Sequence, residues 1–276
     1  MNKNTLYISD LDGTLLNSEC KISKTTAEII SRLIDDGLMF SVATARTNKT
    51  VEQLCEKLRI NIPVILMNGV ALYDLESHKF KSFEKFDIAY VSEFLEIIEK
   101  YGSKGFLYTI ENGELETFYV NTNAPNSEEF MRERIQKYDK KFMRTNSFLH
   151  CADMNCVHFS LSDKKEALQP VFDEISKLNA FSVQFYRDIY NDDFWYLEIC
   201  SRKASKYNAA LKLKEMLKCE KIVSFGDNLN DLPLFAASDE SYAVEGAKDE
   251  VKAKACGIIA SNNEDGVAWF LDKLQR

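Results

Sequence analysis

Two carboxylate clusters dominate the chemistry open to this chain. The first is Asp10-Leu11-Asp12-Gly13-Thr14, which follows the short β-type run Thr5–Ser9. Two acids two residues apart, with a glycine to bend the backbone, suit a divalent cation and an anion together. A hard cation such as Mg2+ takes oxygen ligands and binds through one or two carboxylates plus a substrate phosphate. The alternative is an Asp-Gly turn capped by its second acid. The second cluster is Gly226-Asp227-Asn228-Leu229-Asn230-Asp231, after the apolar run Ile222–Phe225. Asp227 could reach the same cation as Asp10. Asn230 and Asp231 sit near a helix N-terminus, which favours anionic groups and polar caps. A capping turn with no further role would use the same residue types.

Two shorter signals accompany them. Thr44-Ala45-Arg46, at the end of an apolar strand, offers a hydroxyl and free backbone N–H groups to a phosphate, or else an N-cap to the helix from Thr47. Lys206 stands one residue into a helix after Ser205. A cation there opposes the helix dipole, so its charge invites a phosphate oxygen as partner; a solvated surface lysine is the alternative.

The elements that must position these groups alternate. Thr5–Ser9, Met39–Ala43 and Pro63–Met67 read as strands, with helices over Ser23–Asp36 and Thr47–Leu58 between them. Ser23 caps the first helix and Gly37 follows its end. The last third repeats the alternation: helix Ser205–Lys218, strand Ile222–Phe225, helix Asn230–Ala237, strands Ser241–Val244 and Gly257–Ile259, and helix Glu264–Leu274. This order predicts an α/β fold with a Rossmann-like, doubly wound parallel sheet and right-handed crossovers. Ligands of such sheets bind at the carboxyl ends of the strands, where each cluster lies. The middle of the chain differs. Helices Ile88–Tyr101, Ser127–Tyr138 and Lys164–Leu178 alternate with a hairpin about Asn112-Gly113 and strands Val157–Leu161 and Phe181–Tyr186. That predicts an inserted α+β module over 83–193, a core from 1–82 plus 194–276, and short hinges at Lys79–Glu84 and Asp188–Trp195.

Composition narrows the function classes. The chain has 276 residues, 28% of them charged, and a formal net charge of -8. That acidity argues against a nucleic-acid partner, because phosphate backbones require basic patches. A phosphorylated substrate would need local cations or a metal. No apolar run is long enough to span a bilayer. Seven scattered cysteines fit reduced thiols and a cytoplasmic location.

Together, in the order Asp pair, Thr, inserted module, Lys, Asp cluster, the motifs resemble those of the haloacid dehalogenase superfamily, and more closely its Cof-type phosphatases with a large α+β cap. Ser9 to Leu16 matches the first motif, Thr44 the second, Ser205-Lys206 the third and Gly226 to Asp231 the fourth. Asn68-Gly69 and Asn263-Glu264-Asp265-Gly266-Val267 also look like that subfamily. The resemblance implies a catalytic core, a cap domain and Mg2+-dependent hydrolysis of a small phosphorylated metabolite. It implies Asp10 as nucleophile forming an aspartyl-phosphate, and Asp12 as general acid and then base, with its carboxyl tuned for protonation. It implies a metal set of Asp10, Asp12, Asp227 and Asp231, with Asp12 acting through its backbone carbonyl and Asp231 orienting the shell. Leu11, Thr44, Ala45, Arg46, Asn68, Gly69, Lys206 and Asn230 would surround the phosphate. A phosphomutase of the same superfamily and a non-catalytic binding protein on the same scaffold are the alternatives. Two positions depart from the pattern: Ala45 replaces a frequent glycine, and Tyr207 replaces another. If the Ala45 position requires a positive φ, the contacts there change.

Other features receive plainer readings. His150, Cys151, Asp153, Cys156 and His158 lack a zinc-type Cys pair, and Cys156, His158 and Ser160 are expected to alternate along one strand face. The aromatic stretch Phe185-Tyr186, Tyr190 and Phe194-Trp195-Tyr196 is expected to pack as strands. Arg187, on the same stretch, is placed where a cap residue could approach the substrate. The basic run Lys137–Arg144 reads as a solvated face and loop.

Overall fold

The computed structural model describes residues 4–188 and 193–275. The chain divides into two compact units, Met1–Ser82 with Ser205–Arg276, and Phe83–Ala204.

The first unit begins with β1 (Thr5–Ser9), α1 (Lys24–Asp35), β2 (Met39–Val42), α2 (Asn48–Leu54) and β3 (Val64–Leu66). All five residues of β1 are buried, as expected of a strand covered on both faces of a parallel sheet. Burying side chains such as Leu6 and Ile8 stabilises by roughly 1.5–3 kcal/mol each. Ser23 caps α1 by accepting the Thr26 N–H at 2.9 Å. The buried face of α1 carries Ala27, Ile30, Leu33 and Ile34. Helix α2 ends at Leu54, sooner than the expected Leu58. After β3 the chain turns into β4 (Ala71–Asp74) and β5 (Lys79–Phe83), forming a three-stranded sheet in the order β3-β4-β5. The segment read as a hinge at Lys79–Glu84 is therefore largely an edge strand. Its alternating exposure, with Lys79 and Lys81 turned outward, concealed it among polar residues.

The second unit contains α3 (Ile88–Lys100), β6 (Phe106–Glu111), β7 (Glu114–Tyr119), α4 (Ser127–Tyr138), β8 (Phe142–Arg144), β9 (Cys156–Asp163), α5 (Lys165–Lys177), β10 (Phe181–Arg187) and β11 (Trp195–Ser201). Its six-stranded sheet runs β10-β11-β9-β6-β7-β8. One face, with Leu107, Phe159, Leu161, Phe181, Leu197 and Ile199, joins the apolar residues of α3 and α5 in a single core. Because β11 pairs with β10 and β9, the chain belongs to this unit as far as Ala204 rather than Asp193. The expected second hinge includes residues 189–192, and Tyr190 with it, which lie outside the described residues. In β9 a register shift opposite Tyr108/Thr109 corrects another expectation. The bulge inserts a residue and resets the alternation. Cys156 therefore enters the apolar core, while His158 and Ser160 lie on the other face. The basic run ends α4 and continues into the short strand β8.

The first unit resumes with α6 (Lys206–Leu217), β12 (Lys221–Gly226), α7 (Leu232–Ala236), β13 (Glu240–Val244), α8 (Asp249–Lys252), β14 (Gly257–Ile259) and α9 (Gly266–Gln275). Its parallel sheet runs β14-β13-β12-β1-β2, and a parallel bridge from Ala43 to Ile65 continues it to β3. Counted within this unit, the six parallel strands have the order 3-2-1-4-5-6. That order reverses between β1 and β12, and a crevice opens at such a reversal beyond the carboxyl ends of the strands. All seven cysteines are free. Among the described residues no helix is long and apolar enough to cross a membrane.

Candidate active site

The two strands flanking the reversal carry the two acidic clusters. Asp10 immediately follows β1, and its N–H donates to the Phe225 carbonyl at 3.0 Å, extending the ladder to β12 by one residue. Asp227 immediately follows β12. Parallel pairing at matched register thus sets the two acids side by side, although they lie 217 positions apart along the chain.

Lys206 completes the arrangement. Ser205 caps α6 by accepting the Asn208 N–H at 3.0 Å. Lys206 is then the first helical residue, only 1% exposed, so the surface-lysine alternative fails. Its Nζ donates to Asp10 Oδ1 at 2.6 Å and to Asp231 Oδ1 at 2.7 Å. Asp231 Oδ2 accepts the N–H groups of Asp227 at 2.9 Å and Asn228 at 3.0 Å. Asp231 is therefore a positioning residue with both oxygens engaged: one tethers the lysine and the other shapes the loop after β12. Thr14 donates its hydroxyl to Asp227 Oδ1 at 2.8 Å. Sequence reasoning assigned no role to Thr14; its place directly after the Asp-Gly turn is the signal that could have found it.

Three glycines are required by close approach. Gly13 has φ +79°, and a Cβ there would lie 2.5 Å from Asp227 Oδ2. A Cβ on Gly226 would lie 2.6 Å from Asp231 Cβ. Gly69 has φ +100°, and its Cβ would fall 2.1 Å from the Ser205 carbonyl oxygen, just before Lys206.

The charges are unbalanced. Asp10, Asp227 and Asp231 offer oxygens that all lie within 4.8 Å of one another, and Lys206 is the cation bonded to two of them. Desolvation, reinforced by Asp231, raises the Asp10 carboxyl well above the usual carboxylate range despite Lys206. Burial likewise raises Asp227 to about 6, against the lowering effect of the Thr14 hydroxyl. Burial alone would lower the Lys206 ammonium, but its two carboxylate partners outweigh that and raise it. Asp10 and Asp227 offer hard oxygen donors with excess negative charge, which fit a divalent cation of the Mg2+ type, while Asp231 is turned to the lysine and the loop rather than free as a ligand.

The remaining residues named from sequence all belong to this unit. The Asp12 side chain is 47% exposed, and the Arg46 guanidinium spans both of its oxygens, Nε to Oδ2 at 2.7 Å and a terminal nitrogen to Oδ1 at 2.6 Å. Thr44 is buried, and its hydroxyl oxygen accepts the Arg46 N–H at 3.2 Å. Its carbonyl accepts the Asn68 N–H at 2.9 Å. Asn68 adopts φ 54°, and its Oδ1 accepts a bond from Asn230 Nδ2 at 3.3 Å. Leu11 is buried, and its carbonyl accepts the N–H groups of Thr14, Leu15 and Leu16, tightening the loop. Ala45 is exposed and takes no positive φ, so alanine is tolerated without strain. Tyr207 is 39% exposed while Lys206 is buried, so the bulk of the tyrosine does not displace the lysine.

Comparison with known proteins agrees with this geometry. A family model described as haloacid dehalogenase-like hydrolase matches residues 7–271. The chain is 29% identical to the phosphatase YwpJ of Bacillus subtilis, covering 98% of this chain and 99% of that protein. It is 25% identical to 5-amino-6-(5-phospho-D-ribitylamino)uracil phosphatase YwtE of the same organism, covering 96% of each. A crystal structure of a haloacid dehalogenase-like hydrolase from Bacteroides thetaiotaomicron shares the fold, with a TM-score of 0.79 and 23% identity, over 98% of this chain and 99% of that one. With its family match spanning both acidic clusters and the buried lysine between them, the chain belongs to the haloacid dehalogenase-like hydrolases.

Proposed function

We propose that this hydrolase cleaves small phosphate monoesters in a Mg2+-dependent reaction through an aspartyl-phosphate on Asp10, with the first unit as catalytic core and the second as cap. The observation that carries the reading is the Lys206 bridge between Asp10 and Asp231 beside Asp227, at the reversal of strand order. Membership of the family and relatives named as phosphatases support phosphate-ester hydrolysis on small substrates.

Phosphate monoesters are among the slowest esters to hydrolyse, so the site must lower a very large barrier. A carboxylate attacking a phosphate dianion meets charge repulsion. Lys206, held on Asp10, lies where it can offset that repulsion and stabilise the developing charge. Mg2+ would be held by Asp10, Asp227 and the Asp12 backbone carbonyl, with Asp231 orienting the shell, and would supply further charge neutralisation to the phosphoryl oxygens. The Lys206 bond to Oδ1 leaves Oδ2 of Asp10 as the attacking atom. As that oxygen bonds to phosphorus, the ester P–O bond breaks and Asp12 gives its proton to the departing alkoxide. Asp12 then takes a proton from the water that attacks the aspartyl-phosphate, which frees Asp10 and inorganic phosphate. Arg46 occupies both Asp12 oxygens in this structure, so one bond of the fork must open for Asp12 to carry the proton it gives to the alkoxide. Thr44, Asn230 and the backbone around Leu11, Ala45, Asn68 and Gly69 surround the phosphate.

The test is phosphate release from a panel of esters that includes p-nitrophenyl phosphate, with Mg2+, with EDTA, and with Asp10→Asn. The reading expects release only when both Mg2+ and Asp10 are present. Release that survives EDTA or Asp10→Asn overturns it.

A further inference from the structure

Ahead of α9, residues 261–265 form a tight turn of their own. Ser261 and Glu264 close it: the Glu264 N–H donates to the Ser261 carbonyl at 3.0 Å, and the Ser261 hydroxyl donates to Glu264 Oε2 at 2.9 Å. The helix behind it is fixed, because Val267, Ala268 and Leu271 are buried and Asp272 pairs with Arg32 of α1. The turn is therefore anchored through α9, and its other polar side chains are directed elsewhere.

They meet one stretch of chain, in order. Asn262 Nδ2 donates to the Leu16 carbonyl at 2.7 Å. Asn263 Oδ1 accepts the Ser18 N–H at 2.9 Å and the Ser18 hydroxyl at 3.0 Å. Asp265 Oδ1 accepts the Ser23 hydroxyl, and the Thr26 hydroxyl at 2.8 Å. That stretch is the way out of the loop bearing Asp10 and Asp12 and into α1. Leu16 also donates its N–H to the Leu11 carbonyl at 2.8 Å, so both of its backbone groups are held. A single turn of chain is unfavourable on its own, so the shape of the turn over residues 11–16 depends on what holds its two ends. Strand β1 holds the first end and Asn262 the last.

The shape of this turn reaches the acids. The Thr14 N–H donates to the same Leu11 carbonyl at 3.3 Å, and the Thr14 hydroxyl donates to Asp227 Oδ1 at 2.8 Å. Hydrogen bonds thus run from Asn262 through Leu16, Leu11 and Thr14 to Asp227, and Leu11 itself lies between Asp10 and Asp12. Groups that orient a metal-binding carboxylate tune its affinity without touching the metal.

We infer that Asn262, Asn263 and Asp265 are positioning residues for the acidic site: they clamp the end of the turn that follows Asp10 and Asp12, and through Thr14 they hold Asp227 beside Asp10. The consequence for turnover rests on the phosphatase reading above; the clamp itself rests on contacts within the first unit.

The experiment uses variants of the full chain. Asn262→Ala removes the donor to Leu16. Asp265→Gly removes the acceptor for Ser23 and Thr26 at a residue with φ 57°, which glycine adopts without strain, whereas Asp265→Asn keeps an acceptor oxygen. Amide exchange of Thr14 and Leu16, followed by NMR in the metal-free protein, should quicken roughly three- to tenfold in Asn262→Ala, as expected for one lost hydrogen bond. Calorimetric titration with Mg2+ alone should show binding weakened by about tenfold in Asn262→Ala, weakened in Asp265→Gly and restored in Asp265→Asn. Thr14→Val breaks the last link, so combining it with Asn262→Ala should weaken binding by less than the product of the two single effects. A merely structural turn would lower Tm and leave Mg2+ affinity as it is. Unchanged exchange at Thr14 and Leu16, unchanged Mg2+ affinity in Asn262→Ala, or single effects that multiply in the double variant overturns the inference. Weakened Mg2+ binding in Asn262→Ala, in a wild type that hydrolyses no ester, supports the clamp while refuting the phosphatase reading.

Discussion

Replacing Asp231 by Asn tests the arrangement of the buried network most sharply. The change keeps size and shape but leaves one oxygen where there were two. In the wild type Oδ1 accepts from Lys206 and Oδ2 accepts from two backbone N–H groups. An asparagine must turn its amide NH2 either toward the lysine ammonium or toward the two N–H donors, so one set of donors is left unmatched. Hydrogen bonds to charged groups contribute roughly 1.5–3 kcal/mol each, and opening a buried ion pair costs about 3–5 kcal/mol. Against this, removing the Asp231 charge relieves its repulsion of Asp10, which it otherwise raises. The lost bonds outweigh the relief, because Lys206 keeps one partner but the N–H donors or the ammonium lose theirs. A net destabilisation of about 2–4 kcal/mol follows, which for a domain of this size lowers Tm by roughly 5–15 °C. Calorimetry in EDTA at neutral pH reads this directly. The double variant Asp231→Asn with Lys206→Met should deviate from additivity, since the two residues share one interaction. A Tm within about 2 °C of wild type for Asp231→Asn would refute the claim that this side chain joins the lysine to the loop after β12.

Three further outcomes follow from the same geometry. Gly13→Ala forces a side chain onto φ +79° and against Asp227; phosphate release should fall at least about tenfold as the second acid is displaced, and activity near wild type would show that the loop yields freely. The thermal stabilisation given by Mg2+ should shrink on acidification. Folding raises Asp227 to about 6, so in the metal-free protein the fold favours the protonated acid and loses that stability as pH rises through this value. A cation must displace that proton at low pH, so its apparent affinity should fall by up to about tenfold per pH unit below about 6, and a Mg2+-induced Tm shift constant from pH 5 to 8 would contradict the assignment. Arg46→Ala removes the fork that occupies both Asp12 oxygens and so frees that carboxyl to carry a proton; turnover of alkyl phosphates should rise relative to p-nitrophenyl phosphate, whose leaving group needs little protonation, and an unchanged ratio would separate Arg46 from proton transfer.

Much of the site was legible in the sequence because it is built from local signals. Asp10-Leu11-Asp12-Gly13-Thr14 follows a strand whose apolar run ends sharply, and the strand is found at Thr5–Ser9 as read. The Ser23 cap likewise follows from a side chain bonding its own nearby backbone, the turn at Asn112-Gly113 from two residues that take positive φ, and helix α4 spans Ser127–Tyr138 as read. Strands set by long-range pairing were harder. β5 is an exposed, lysine-bearing edge strand and reads as linker until its partner β4 is known. β11 was divided between a hinge and a domain boundary, because only its pairing with β9 and β10 shows which unit claims it.

The sequence by itself determined the alternation of elements, the placing of acids at strand ends and the family, since each depends on residues close together in the chain. Tertiary structure decided which groups meet. Lys206 is read from sequence as a partner for phosphate, but only the fold buries it between Asp10 and Asp231, 196 and 25 residues away. A bulge in β9 sends Cys156 into the core and leaves His158 on the polar face, reversing a simple alternation. Desolvation raises Asp10 and Asp227, a consequence of packing that no spacing of residues encodes. The physical reason is the same throughout: hydrogen bonding and capping act within a few residues, whereas burial and charge coupling depend on distances in space that only the folded sheet brings about.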